Sequence, residues 1–528
     1  MKKFMSVLFA LVLVLSFSLV TAVPVAAADR LVPGAYGTIQ AAIDAASPGD
    51  TIIVSDGTYT EDLTVNIANL TIQSVNGSGS TTIQLVAGVG IDIQGGASGF
   101  TLGGASGQGF TILSGANTTF MIQLANAPSG VEISYNTINT TGNASMGISV
   151  GAAGATGLTI SNNSFTAEAG DGSIWGPNVA DVTVSNNTLS GGSYAVQFSG
   201  VTGTSAISNN TISGYTGSGG IVISNGAGTS GLAISHNNIS SCSNGIYFAE
   251  YCAEGTAANM TTVTVIGNTI SDSTNDAIKV GDGAHVLASN FTIIFNNISG
   301  SLYGLENAHS TQQVTAENNW WGNASGPYHP TTNPTGTGDE VSANVDYDPW
   351  LGAELTEVKS ETITGSGTME DTPTGGDVTI DATGDHTITT AKYEDNPGGT
   401  PTFQATGDYY DVHLDDDTGV NSLTIEFCPA DEDTVIYYWD GTSWRRASNQ
   451  NYSNGCIVVT ITAFTFPSLS DLTGLPFASG TPYPPPAVGG TVYPVNKVSI
   501  LMPWIGLALL LALAGAYVAR LTLSKLRG

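Results

Sequence analysis

Between Glu254 and Glu306 the only acidic residues are Asp272, Asp276 and Asp282. They surround Lys279, the only lysine between Lys3 and Lys359, and His285 follows. Two carboxyl groups facing one bond are the equipment of glycoside hydrolysis, at separations of roughly 5–9.5 Å. A lysine among them suits an acidic sugar. Asp272, Asp276, Lys279 and Asp282 are therefore the candidate catalytic residues. Glu250 and Glu254 flank Cys252 and extend the acidic face as candidate binding residues. The competing reading is a solvated turn, which acids of this spacing also make.

Arginine-based chemistry is excluded over most of the chain, because no Arg occurs between Arg30 and Arg445. The 528 residues carry 12 Lys plus Arg against 43 Asp plus Glu, a formal net charge of −31. Between Asp29 and Lys497 there are 7 basic and 43 acidic residues, a net charge of −36. A phosphate-binding face needs clustered Lys and Arg, so nucleic acid is excluded as a partner. Asp415–Asp417 and Asp431–Asp433 are acidic runs that would suit calcium, but neither has EF-hand spacing. No metal-ligand cluster is evident among the 6 His and 4 Cys, and calcium is the single candidate cofactor.

What must position these residues is a repeat. Eight segments end on an asparagine: Asn136, Asn163, Asn187, Asn210, Asn237, Asn268, Asn296 and Asn319. Three residues before it stand Ile133, Ile160, Val184, Ile207, Ile234, Val265, Ile293 and Ala316. Two residues after it stand Ile138, Phe165, Leu189, Ile212, Ile239, Ile270, Ile298 and Trp321. A further apolar residue stands five before it, with Ser205 the exception. Alternation at minus five and minus three is the period of a half-buried strand. Asparagine is a turn residue that tolerates left-handed backbone. One such coil cannot bury its inner face alone, and stacked coils can. Stacking at roughly 4.8 Å would set Asn above Asn in a ladder of amide bonds.

Three stretches give the repeat a family likeness. Tyr36–Asp50, leading into Thr51–Val54 and Asp56–Glu61, resembles the N-terminal cap of right-handed parallel β-helices, the pectin-lyase-like fold. The asparagine repeats resemble its coils. Asn318–Pro327, followed by Val345–Trp350, resembles the close of many surface-protein β-helices. The resemblance implies an all-β solenoid over residues 29–352. It leaves function open, since this scaffold hosts lyases, hydrolases, epimerases and structural rods. Asn275–Lys279 faintly echoes the polygalacturonase pattern, whose other motifs are missing. Trp320 and Trp321 are candidate sugar-stacking residues; Trp321 falls on the inward register, which argues instead for capping the apolar end of the stack.

The ends of the chain read as addresses. Residues 1–28 have the charged start, apolar stretch and Ala-Ala-Ala site of a secretory signal peptide. Residues 498–519 are uncharged and long enough to span a membrane, with Arg520, Lys525 and Arg527 after them in a cytoplasmic tail of residues 520–528. Residues 353–476 carry short alternating runs and an Asp440–Gly441 turn, expected as a β-sandwich resembling the immunoglobulin-like modules of surface proteins. Residues 477–497 contain Pro482–Pro486, expected as an extended stalk. In a secreted chain the four cysteines should pair, and locality selects Cys242–Cys252 and Cys428–Cys456 from three pairings. The expected partners are extracellular polysaccharide or surface-layer components and the membrane. Two readings follow: a surface-anchored β-helix that binds glycan or builds the cell surface, and a glycan-cleaving hydrolase or lyase using the Asp cluster.

Overall fold

The computed structural model describes residues 27–142, 145–250, 258–483 and 497–525. Residues 1–26, within the segment 1–28 read as a signal peptide, Cys252, Glu254 and most of the proline-rich segment lie outside the described residues. Residues up to Thr481 make one compact unit, and Pro482–Gly528 the other.

Three parallel sheets run from Asp29 to Asp346, of 13, 10 and 13 strands. Each strand pairs with its counterpart one coil later: Thr183–Ser185 with Ala206–Ser208, and Thr188–Ser190 with Thr211–Ser213. This is the right-handed parallel β-helix expected from the repeat. The first sheet carries the minus-five and minus-three residues and the second the plus-two residues. All are buried, including Ser205, so they form one continuous apolar core.

The eight asparagines line a corner between these sheets and are at most 2% exposed. Asn163 Nδ2 donates to Asn187 Oδ1 at 3.1 Å, Asn187 to Asn210 at 3.0 Å, and Asn210 to Asn237 at 2.9 Å. The file is unbroken from Asn136 to Asn319. From Asn163 onward each Oδ1 also accepts the backbone N–H of the asparagine before it, as Asn210 does from Asn187 at 3.0 Å. The ladder asparagines themselves do not adopt left-handed angles. The residue before each one does: Tyr135, Asn162, Asn186, Asn209, His236, Phe295 and Asn318 have φ of 53–61°, and Gly267 has 68°. The turn therefore sits one residue earlier than the sequence suggests, because the ladder residue must keep its side chain inward.

The first coil is closed by a helix, Ile39–Asp44, which buries Ile39, Ala42 and Ile43. Thr38 accepts from Ala41 N, and the Glu61 carboxylate accepts from Ile39 N and Gln40 N at 2.9 Å. These donors have no partner within a helix. Asp50 binds Arg30 at 2.7 Å and accepts from Ala28 N and Ser47 N, which holds its carboxyl below the usual range.

From Leu355 to Thr481 the pairing is antiparallel. A six-stranded and a five-stranded sheet enclose a core that includes Ile380, Val412, Ile425, Val459 and Phe477. That is more strands than an immunoglobulin sandwich carries. Cys428 and Cys456 are bridged. The last strand, Thr473–Thr481, extends into the segment read as stalk, because Phe477 and Ala478 are fully buried there. Among the described residues one helix, Lys497–Lys525, is long and apolar enough to cross a membrane, over Leu501–Arg520.

Candidate functional site

The third sheet positions the acidic cluster. Strand Asp276–Val280 turns Ile278 and Val280 into the core and Lys279 outward. Its register sets Asp276 beside Tyr303 and Lys279 beside Glu306. Lys279 Nζ lies 3.3 Å from Asp276 Oδ2 and is also paired with Glu306. Asp276 is only 4% exposed. Burial, with the Glu306 carboxylate adding to it, pushes the Asp276 carboxyl up to about 6 against the opposing effect of Lys279. Burial disfavours the charge on Lys279, but Glu306 and Asp276 more than offset it, so its pKa is raised. The Tyr303 hydroxyl is raised chiefly by the Glu340 carboxylate, then by burial, Glu306 and Asp276.

The remaining candidates are dispersed. Asp272 is exposed at a corner with φ of 53°, where other coils use Gly191, Gly214 and Gly300. Asp282 is exposed in the turn after the strand. Glu250 receives His285 N at 3.2 Å and lies 3.1 Å from His285 Nδ1, a separate pair. Cys242 is a free, fully buried thiol pointing into the core, with Sγ 3.4 Å from Ser240 O. Burial raises the pKa of this thiol, and its expected bridge partner Cys252 lies outside the described residues. Trp321 is fully buried and so is unavailable for stacking on a sugar. Trp320 packs at the junction with the sandwich. Glu426 lies beside Cys428 and Cys456, but bridged sulfurs are not thiolate ligands.

Beyond the acidic cluster, the outer face of the third sheet carries a continuous file. Register aligns Asp92, Gln123, Ser149, Trp175, Gln197, Val222, Tyr247, Lys279 and Glu306 on successive coils. Val222 and Ser149 are buried, and the others are partly exposed. Tyr194 stands three residues before Gln197 and lies over Gly172, where a Cβ would come within 2.3 Å of its ring. Trp175, Tyr194, Tyr247, Tyr303 and Glu306 were not singled out by sequence. The available signal is the coil length: Glu306 follows Lys279, and Tyr303 follows Asp276, by one coil of 27 residues.

No protein-family model and no curated protein matches the chain. Solved structures do match, at low identity. The Dettilon tailspike protein is 11% identical with a TM-score of 0.33, over 82% of this chain and 88% of that one. The enzymatically active domain of tailspike protein 2 from bacteriophage CBA120 is 12% identical with a TM-score of 0.40, over 86% and 76%. An alginate lyase from a Paenibacillus species is 13% identical with a TM-score of 0.30, over 60% and 99%. No residue role is carried across from them.

Proposed function

We propose that this chain is a membrane-anchored, extracellular β-helix that binds glycan along the outer face of its third sheet. The observation that carries this reading is the file of Trp175, Tyr247 and nearby Tyr194 and Tyr303 among Gln123, Gln197 and Glu306. Aromatic rings cover the C–H faces of sugars, and amides and carboxylates bind their hydroxyls. Coils at roughly 4.8 Å repeat this chemistry along one axis, as a linear polymer requires. The signal-peptide pattern, the Cys428–Cys456 bridge and the apolar C-terminal helix support a secreted body on a membrane anchor.

The test is glycan-array binding by the full-length protein in detergent. Trp175→Ala and Tyr247→Ala should each weaken binding about tenfold, the scale of an aromatic anchor. Unchanged affinity in both would overturn the reading.

One observation favours a glycan-cleaving enzyme instead. An Asp276 carboxyl at about 6 is suited to general acid work near neutral pH. Against it, Lys279 Nζ bonds both Asp276 and Glu306, so the ammonium occupies the gap where a glycosidic bond would sit. Asp276→Asn should change no product of any polysaccharide. Release of reducing ends or unsaturated sugars by wild type, lost in Asp276→Asn, would establish the enzyme.

A further inference from the structure

A second surface with binding chemistry lies where the β-helix ends against the sandwich. Residues from both parts line a cleft of about 600 Å³. That volume is typical of small-ligand sites, which favour such junctions. Trp350 comes from the closing turn of the β-helix, and Tyr438 and Trp439 come from strand Val435–Trp439 of the sandwich.

Both indoles rest on glycine backbone. A Cβ added at Gly326 would lie 2.5 Å from Trp350, and one at Gly399 would lie 2.7 Å from Trp439. Only glycine permits that approach, so both rings are held in place before any ligand arrives. Trp350 Nε1 donates to Ala324 O at 3.1 Å. Trp439 Nε1 has no hydrogen-bond partner among the described residues. Asn318, at the left-handed corner before the last ladder asparagine, ties the two walls together by donating to Thr473 O at 2.9 Å.

The charge in the cleft is already committed. Asp440 pairs with Arg445 at 2.7 Å and accepts from Thr442 N and Ser443 N. Asp471 closes a capping box with Ser468. The described lining residues include no Lys, Arg or His, so nothing there balances an anionic ligand. What the cleft offers is two fixed indoles, an unused indole N–H, a phenol and backbone carbonyls. That set suits a flat, uncharged, hydroxylated ring.

We infer that this cleft is a second glycan subsite, separate from the third-sheet file, which takes a neutral sugar residue stacked on Trp439 and Trp350. The inference rests on the glycan-binding reading above and adds a place and a charge preference to it.

The experiment titrates the full-length protein in detergent with cellohexaose, maltohexaose, mannohexaose and hexagalacturonate. At least one neutral hexaose should bind, and Trp439→Ala and Trp350→Ala should each weaken it about tenfold or more. Loss in Trp175→Ala alone would overturn the cleft and leave the sheet-face reading standing. Glycan-array binding by wild type without binding of any neutral hexaose would do the same. No binding to array or hexaoses would overturn both. Because Trp350→Ala also removes packing against Tyr347, hydroxyl-radical footprinting of wild type supplies a readout without substitution. A saturating neutral hexaose should cut oxidation of Trp439 and Trp350 severalfold, and unchanged oxidation would overturn the cleft.

Discussion

In the β-helix eight of the buried polar side chains are asparagines stacked in one file; in the sandwich Asp411 is buried outside any such file. Each interior asparagine of the file is both donor and acceptor to its neighbours, so every coil satisfies the next. Asp411 in the sandwich is fully buried, receives the Tyr393 hydroxyl on Oδ2, and has Oδ1 without a partner among the described residues. The asparagine file and Asp411 thus accommodate buried polarity differently. Repetition lets a polar group be satisfied by its own copy, whereas a unique core must find a specific partner or carry a cost. The sandwich also carries a disulfide, which restrains its unfolded chain as the coil ladder does not.

The largest expected break in this comparison is at that bridge. Cys428 and Cys456 are separated by 28 residues. Removing the cross-link with Cys428→Ser should cost about 3–4 kcal/mol by loop entropy. Calorimetry should show a lower transition for the sandwich, with the β-helix transition little moved. A matched fall in both would mean that the regions unfold as one.

Next comes the ladder. Asn187→Ala strands Asn163 N and Nδ2, which now donate to Asn187 Oδ1, and takes a donor from Ile160 O. Buried groups left unpaired cost about 1–3 kcal/mol each; with relaxation the expected loss is about 2–3 kcal/mol. Asn136→Ala should cost less. As the first rung, its Oδ1 accepts only the backbone N–H of Phe110, at 2.9 Å. Equal melting temperatures for the two variants would show that position in the file does not matter.

The two regions also differ in how much of each was legible. The coil core was readable residue by residue, because stacking forces minus five, minus three and plus two into the same register in every coil. The acidic site was not. Asp272 and Asp282 were grouped with Asp276 because they are near in sequence, yet in a solenoid a side chain's neighbour lies one coil away, and Glu306 is that neighbour. The third sheet has no fixed marker, since the segments joining it to the repeat vary in length. Ser205 obeys the inward register although it is polar, and Trp321 obeys it as its spacing indicated. In the sandwich, short alternating runs announced strands, but others such as Leu355–Thr364 and Asp385–Tyr393 were passed over, being rich in Thr and charge and poor in large apolar residues.

A pH series sharpens the contrast between buried acids. Burial pushes the Asp411 carboxyl up to about 7, with the Tyr393 hydrogen bond opposing it. The native state then holds a proton that the unfolded chain releases near pH 4. Stability from this group is present below that pH and falls as pH rises toward 7, by at most about 1.4 kcal/mol per pH unit, then levels off. Asp276 has the same sign over a narrower window, ending near pH 6, because Lys279 offsets its burial. Denaturant unfolding between pH 4 and 8 should therefore show a slope that Asp411→Asn flattens more than Asp276→Asn. A wild-type stability that rises across this range by more than the other carboxylates explain would contradict the assignment.

The smallest effect concerns the corner before each ladder asparagine. Left-handed backbone there is held by asparagine at residues 162, 186, 209 and 318 and by Gly267, but by Tyr135, His236 and Phe295 in the other coils. A side chain that cannot bond its own backbone is disfavoured in this region by roughly 1–2 kcal/mol, and asparagine is disfavoured less. Tyr135 is partly exposed beside Asn162, with φ of 61°, so little packing is lost on exchange. Tyr135→Asn should raise stability by about 0.5–1 kcal/mol, a gain of the size seen when a residue is matched to its backbone angles. His236→Asn should gain less, because His236 Nε2 lies 2.9 Å from Val358 O and links the β-helix to the sandwich. If Tyr135→Asn lowers the β-helix transition instead, the ring packs more tightly in its corner than its exposure indicates, and the corners are not interchangeable in the way the ladder is.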